Sequence, residues 1–191
     1  SRNNLAATLD DLGHHQEAAD LHRTTLTIRE RTLGPDHPRT LGSRNNLAAT
    51  LDNLGHHQEA AGLLRRTLIA CERTLGPDHP DTLDSRNNLA NALANLGHRQ
   101  EAADLHRTTL TTRERTLGSE HPRTLGSRIN LANALNDLGH RQEAADLHRT
   151  TLTACERALG PEHPYTLISR RNLAIAEAQH PPRPRRWPRR R

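Results

Sequence analysis

The chain has 191 residues, 32% hydrophobic and 26% charged, with one Trp, one Tyr and no Phe. Leu and Ala must build the core, which suits close helix-on-helix stacking and argues against the thick core of a large enzyme. The formal net charge of +5 comes from six arginines among the last eleven residues; the rest is near neutral and carries no nucleic-acid footprint of its own.

Ser1, Ser43, Ser85, Ser127 and Ser169 recur every 42 residues, each opening a copy of the stretch that runs from Ser43 to Pro80. Leu-Gly-His recurs in register at Leu12, Leu54, Leu96 and Leu138, and His-Pro at His37, His79, His121 and His163. Strict self-similarity at a period of this size marks a stacked repeat protein.

Nine helices are expected, at about 1–12, 16–33, 39–54, 58–75, 81–96, 100–117, 123–138, 142–159 and 165–178. In the 43–80 copy, Leu47, Leu51 and Leu54 fall at i, i+4 and i+7 and form one apolar stripe. Gly55 ends that helix as a left-handed cap. Ala60, Ala61, Leu64, Leu68 and Leu75 face inward on the second helix, which Gly76-Pro77 stops. Pro80 keeps His79 out of the helix, in the loop. The helix at 165–178 is a lone first-type helix, placed to cap the open end. Nothing alternates with a period of two, so no strand competes.

From His180 the pattern gives way to four prolines and six arginines in twelve residues. That composition cannot form a core, so 180–191 reads as a disordered tail. Residues 1–179 read as one repeat domain, four 42-residue copies plus the capping helix. No run approaches the roughly 18 apolar residues of a membrane span, and no signal peptide is visible. The chain has no Met and starts inside a repeat, so it is expected to be part of a longer protein.

A second periodicity overlies the first. Copies one and three share Arg-Glu-Arg (Arg29 to Arg31, Arg113 to Arg115); copies two and four share Ala-Cys-Glu-Arg (Ala70 to Arg73, Ala154 to Arg157). This reads as ancestry, a duplicated pair, more than as chemistry. Cys71 and Cys155 lie two copies apart, and repeats touch only their neighbours. Both are expected to be buried thiols of a reducing compartment, with a cytoplasmic location.

The copy resembles the tetratricopeptide repeat, in its 42-residue kinesin-light-chain-like variety. The resemblance rests on Asn45 to Ala48, Leu54-Gly55, Glu59 to Ala61, Glu72 to Gly76 and Pro77 to Pro80, and it covers about residues 1–178. It implies an all-α, right-handed superhelical solenoid of antiparallel helix pairs, with first helices on the concave face. It also implies binding of an extended peptide segment of a partner protein, and a place within a larger signalling or regulatory protein. The family's peptide-contacting asparagines correspond to Asn3, Asn45 and Asn87. In the fourth copy Ile129 stands there, with Asn130 beside it. One and two turns further along come Ala7, Asp10 and Asp11, then Ala49, Asp52 and Asn53, then Asn91 and Asn95, then Asn133, Asn136 and Asp137. An amide offers donors and an acceptor, so a ladder of Asn can pair with a peptide backbone whatever its sequence. The Lys and Arg of a two-carboxylate clamp are absent from these positions, and Asp10, Asp52 and Asp137 favour a neutral or basic ligand. The asparagines equally suit bridging between neighbouring helices.

No cofactor and no metal is expected: His14-His15 and His56-His57 fall in turns, and no His or Cys pair has ligand spacing with a third partner. Ser, His and Asp are all present but repeated at structural positions, unlike a unique catalytic constellation, and the phosphate-loop spacing is missing. The chain is therefore expected not to be an enzyme. Two alternatives to peptide binding stand: homo-association by end-to-end stacking of the repeats, and nucleic-acid association through the Arg-rich tail and Trp187, which the near-neutral body makes the weaker of the two.

Overall fold

The structure, a computed structural model, describes residues 2–178; the expected tail from His180 lies outside the described residues. Among the described residues there are nine helices and no strand: α1 (Arg2–Asp11), α2 (His15–Leu33), α3 (Pro38–Asn53), α4 (His57–Thr74), α5 (Pro80–Asn95), α6 (Arg99–Leu117), α7 (Pro122–Asp137), α8 (Arg141–Leu159) and α9 (Pro164–Ala178). Each expected helix is present, with both ends within about one residue of the expectation. The odd-numbered helices are the first-type helices and the even-numbered ones the second-type.

The punctuation has identifiable geometry. Gly55 has φ 82°, the left-handed region that only Gly enters at no steric cost. There the Gly55 N–H donates to the Asp52 carbonyl and the His56 N–H to the Leu51 carbonyl, both at 2.9 Å, the paired bonds of a Schellman cap. His-Pro does more than end a loop. His37, His79 and His121 are extended N-cap residues followed by Pro at the start of the helix. The Nδ1 of His37, His79, His121 and His163 accepts from the backbone N–H two residues on, at 3.1 Å each time. An imidazole thus does the work usually given to Ser or Asp, and Pro loses nothing at a position whose N–H would be orphaned.

The described residues fall into two compact bodies that divide after Thr112, inside α6. In the first body α2 packs on α1 and α3, α4 packs on α3 and α5, and the first-type helices α3 and α5 also touch each other. Its core is Leu and Ala, with Leu47, Ala48, Leu51, Ala60, Ala61, Leu64, Leu89 and Leu93 packed together. In the second body α8 packs between α7 and α9, and α7 touches α9; Leu125, Ala154 and Cys155 are packed there under Leu159 and Tyr165. Buried threonines are satisfied locally: Thr67, Thr109 and Thr151 donate to the carbonyl one turn back, at 2.6 to 2.8 Å.

The two-copy periodicity has a packing content that the sequence reading did not assign to it. Arg29 donates to Ser43 Oγ at 2.7 Å and to the Arg39 carbonyl at 2.9 Å. Arg113 repeats this with Ser127 Oγ and the Arg123 carbonyl, at 2.8 and 3.3 Å. In the alternate copies a cysteine occupies that position: Cys155 Sγ lies 4.0 Å from Ser169 Oγ. Both cysteines are free, buried thiols. Burial first, then the nearby Asp81 and Glu72, pushes the Cys71 thiol up to about 11, so it stays protonated and unreactive. An outer row of ion pairs recurs in both bodies: Arg44 to Glu30, Arg86 to Glu72, Arg128 to Glu114 and Arg170 to Glu156, at 2.6 to 2.9 Å.

Candidate functional site

The first helices carry the candidate residues, and helical spacing decides which of them reach the surface. Asn3 lies on α1, its side chain outside the described ones. Asn45 is buried, 7% exposed, and its Oδ1 has no hydrogen-bond partner. Ile129, in the same register on α7, is buried too, and Asn87 is half-buried. On α3 and α7 this register turns toward the interior, which is why an Ile is accepted there, while on α9 it holds the exposed Arg171.

The next residue along is different. Asn4 and Asn46 are exposed, and Asn88, Asn130 and Asn172 are half-buried. Three and seven residues further on, Asn91 and Asn95 on α5 and Asn133 and Asp137 on α7 are exposed. Positions i, i+3 and i+7 fall on one helical stripe, so the outward stripe is Asn46 with Ala49 and Asn53, Asn88 with Asn91 and Asn95, and Asn130 with Asn133 and Asp137. Sequence reasoning named Asn130 but missed Asn46, Asn88 and Asn172. The signal was available: an Asn stands at this register in all five first helices, whereas its neighbour changes to Ile129 and Arg171.

The acidic candidates are not free groups. Asp10 Oδ1 lies 2.6 Å from His15 Nδ1, and its Oδ2 accepts from Thr50 Oγ1 at 3.3 Å and Asn53 Nδ2 at 3.1 Å. Asp52 repeats the pattern, 2.6 Å from His57 Nδ1 and accepting from Asn95 Nδ2 at 3.0 Å. Each Asp thus ties its own turn to the next first helix. The paired histidines of the turns, read as copied punctuation, are half of this lock. Its sequence signal is a coupled loss: Asp10 with His15 and Asp52 with His57 give way to Ala94 with Arg99 and Asn136 with Arg141.

In the second body the corresponding place is open. Asn136 replaces the Asp, and its Oδ1 is buried without a partner. Ala176 stands where α3 has Thr50. A cavity of about 180 Å³ lies between α7 and α9, lined by Asn133, Asn136, Asp137, His148, Asn172, Ile175 and Ala176. Asn172 Nδ2 donates to Asn133 Oδ1 at 3.0 Å across it. His148, on α8, is 2% exposed and its Nδ1 has no partner; burial pulls its pKa below the ordinary 6.5. Among the described residues no group of three His, Cys, Asp or Glu is placed to hold a metal ion, and no helix is long and apolar enough to cross a membrane.

Helix pairs repeated at a fixed period, with an amide stripe on the first helices, define a repeat scaffold of the all-α class. A family model for the tetratricopeptide repeat matches residues 1–39, 40–81, 82–123 and 124–165. The chain belongs to the tetratricopeptide repeat family, in the kinesin-light-chain-like variety with its 42-residue period. Among solved structures it is similar to a Podosopora anserina protein assigned as a kinesin light chain, with nearly identical TPR-like repeats. The identity is 35%, the match covers 93% of this chain and 84% of that one, and the TM-score is 0.78. It also shares its fold with BtubC (BKLC) from P. vanneervenii, at 21% identity, 91% and 69% coverage and a TM-score of 0.76. A search of curated proteins finds no match.

Proposed function

We propose that the chain is a non-catalytic scaffold whose first-helix stripe holds an extended peptide segment of a partner protein, within a larger signalling or regulatory protein. One observation carries this reading: the outward register of the first helices is amide-rich in copy after copy, while their inward face is mostly Leu, Ala, Ser and Thr. The half-buried Asn88 and exposed Asn91 side chains offer donors and acceptors to a backbone without demanding a sequence. The family's members are generally scaffolds, which fits. The proposed contact set centres on Asn46, Asn88, Asn91, Asn130 and Asn133, with Asn45 and Asn87 behind it.

The test is a peptide display library selected on the full chain, with the selected peptides then titrated against variants. Asn88→Ala with Asn91→Ala should weaken them about tenfold or more, since each lost hydrogen bond is worth about 1 kcal/mol, with unchanged circular dichroism. Unchanged affinity would sink the reading. A second reading, association between copies, is supported by exposed apolar residues at the terminal helices: Leu5 on α1, Leu12 just after it, and Leu167 and Ile168 on α9. Light scattering decides it: a steady 21.4 kDa across concentrations rejects self-association, and a rising mass supports it.

A further inference from the structure

The second-type helices α2, α4, α6 and α8 share one exposed stripe, and α4 departs from the other three. On α2 the stripe is Asp20, Arg23, Thr24 and Thr27; the same residue types recur at Asp104, Arg107, Thr108 and Thr111 and at Asp146, Arg149, Thr150 and Thr153. These three stripes are closed on themselves. Arg23, Arg107 and Arg149 pair with the Asp three residues earlier, at 2.7 to 3.1 Å. The threonines donate to the carbonyl one turn back. On α4 the counterparts are Gly62, Arg65, Arg66 and Ile69. Three exchanges remove the acid, add a guanidinium and put an aliphatic side chain into solvent.

Each exchange leaves a group unused. Ile69 is 66% exposed, where a threonine serves three other copies. Arg66 makes no hydrogen bond or ion pair among the described residues. Arg65, without its Asp, reaches Glu101 on α6 at 3.4 Å with both side chains about half exposed, a pair worth little in water. Gly62 has nothing within 4 Å of where a Cβ would stand. A Gly inside a helix is destabilising relative to Ala, and its bare backbone lets another chain approach closely. The flanking charges are engaged: Glu59 faces His56 at 3.7 Å, and Asp36 holds Arg73 at 2.6 Å. The stripe thus carries two positive charges where its counterparts carry no net charge.

We propose that this stripe of α4 is a docking surface for an acidic segment of a partner protein, separate from the amide stripe of the first helices. Charge complementarity selects the partner. A guanidinium grips a carboxylate through two parallel hydrogen bonds, and the adjacent Arg65 and Arg66 offer two such grips. Ile69, one turn further on, receives an apolar side chain of the same segment, and the bare helix at Gly62 admits its backbone. A nucleic-acid strand fits less well. It asks for cations spaced along its phosphates, whereas Asp20 and Asp104 neutralise the equivalent arginines of α2 and α6, and an exposed Ile offers a base no stacking surface.

The probe is a fluorescent peptide of Asp and Glu around a central Leu, titrated against the full chain by anisotropy beside its neutral counterpart of Asn and Gln. The acidic peptide should bind saturably, about tenfold or more tighter than the neutral one, and more weakly as salt is raised. The deciding variant is Gly62→Asp with Arg66→Thr and Ile69→Thr, which writes the α2 stripe into α4. Those residues already stand at this register in the other three copies, so the fold is kept, and circular dichroism checks it. Acidic-peptide affinity should fall about tenfold or more. The six arginines beyond residue 180 are the same in both proteins, so any binding they add persists in the variant. Equal binding of the two peptides, or acidic binding that survives the exchange, would overturn the proposal. So would polyuridylate that binds more tightly than the acidic peptide and is lost with the same variant, since the stripe would then be a phosphate site.

Discussion

The same register holds opposite chemistry in the two bodies. Between α1 and α3, Asp10 gathers His15, Thr50 and Asn53; between α7 and α9, Asn136 gathers no one at its Oδ1 and a cavity remains. A charged acceptor held by three donors is an internal tie. Its neutral replacement, Asn136, makes no such bond at its oxygen among the described residues, and the counterpart of Asn53 there, Gln179, lies outside them. Near-identical repeats can therefore share a fold and differ in what they leave available to a ligand, and single exchanges at a handful of register positions decide it.

The largest test of this contrast uses the position one layer behind. Leu64 occupies the register that His22 and His148 occupy in other copies, and it is fully buried. Leu64→Ala should cost about 3 kcal/mol through lost burial and the cavity left behind. His148→Leu should cost almost nothing in the urea midpoint, since it removes an unpartnered polar atom. A loss of several kcal/mol from His148→Leu would mean that the imidazole holds the second body together. Next in size is the tie itself. Asp52→Ala strips the acceptor from His57 and Asn95 and should cost about 2 kcal/mol by denaturation. Asn136→Ala, with no partner lost at its oxygen, should cost less than about 0.5 kcal/mol. Equal costs would erase the distinction drawn between tie and cavity.

The helices were legible to within a residue because Gly and Pro act locally: a left-handed cap and a fixed φ need no tertiary information. The repeat period gave the fold class for the same reason. The site was less legible. The resemblance pointed to Asn45, whose register turns inward, and passed over Asn46 beside it, since a shift of one residue rotates a helical side chain by about 100°. The Asp–His tie was present as a paired loss five residues apart, but each half looked explicable alone. The exchange of Arg29 and Arg113 for Cys71 and Cys155 is similar: ancestry accounted for the pattern, and only the placement of Ser43, Ser127 and Ser169 beneath it revealed what each alternative packs against. The cavity brings Asn136 and Ala176 together in its lining, 40 residues apart, a juxtaposition that no local rule encodes.

A smaller effect concerns the caps, which the two bodies share. His79→Ala removes the acceptor for the Asp81 N–H and should lower stability by about 1 kcal/mol, with His79→Asn restoring most of it, because Asn caps by the same bond. His121→Ala in the second body should cost the same. Unequal losses would show that the turns are tuned along with the packing.

The last prediction concerns the buried imidazoles, and its sign follows from their desolvation. The pKa of His22 is lowered from 6.5 by burial, partly offset by Asp10, and that of His148 by burial alone. Well above 6.5 both are neutral in the folded and unfolded chain and contribute nothing to pH dependence. As the pH falls below 6.5 the unfolded chain takes up protons that the folded chain refuses, so stability drops until the lowered folded values are passed. His22→Leu with His148→Leu, copying Leu64, should flatten this part of the curve of unfolding free energy between about pH 7.5 and 5. The nearby Asp10 carboxylate welcomes a proton on His22, whereas burial alone acts on His148. The single variant His148→Leu should therefore remove more of the slope than His22→Leu, and the reverse order would mean that Asp10 does not favour the proton on His22.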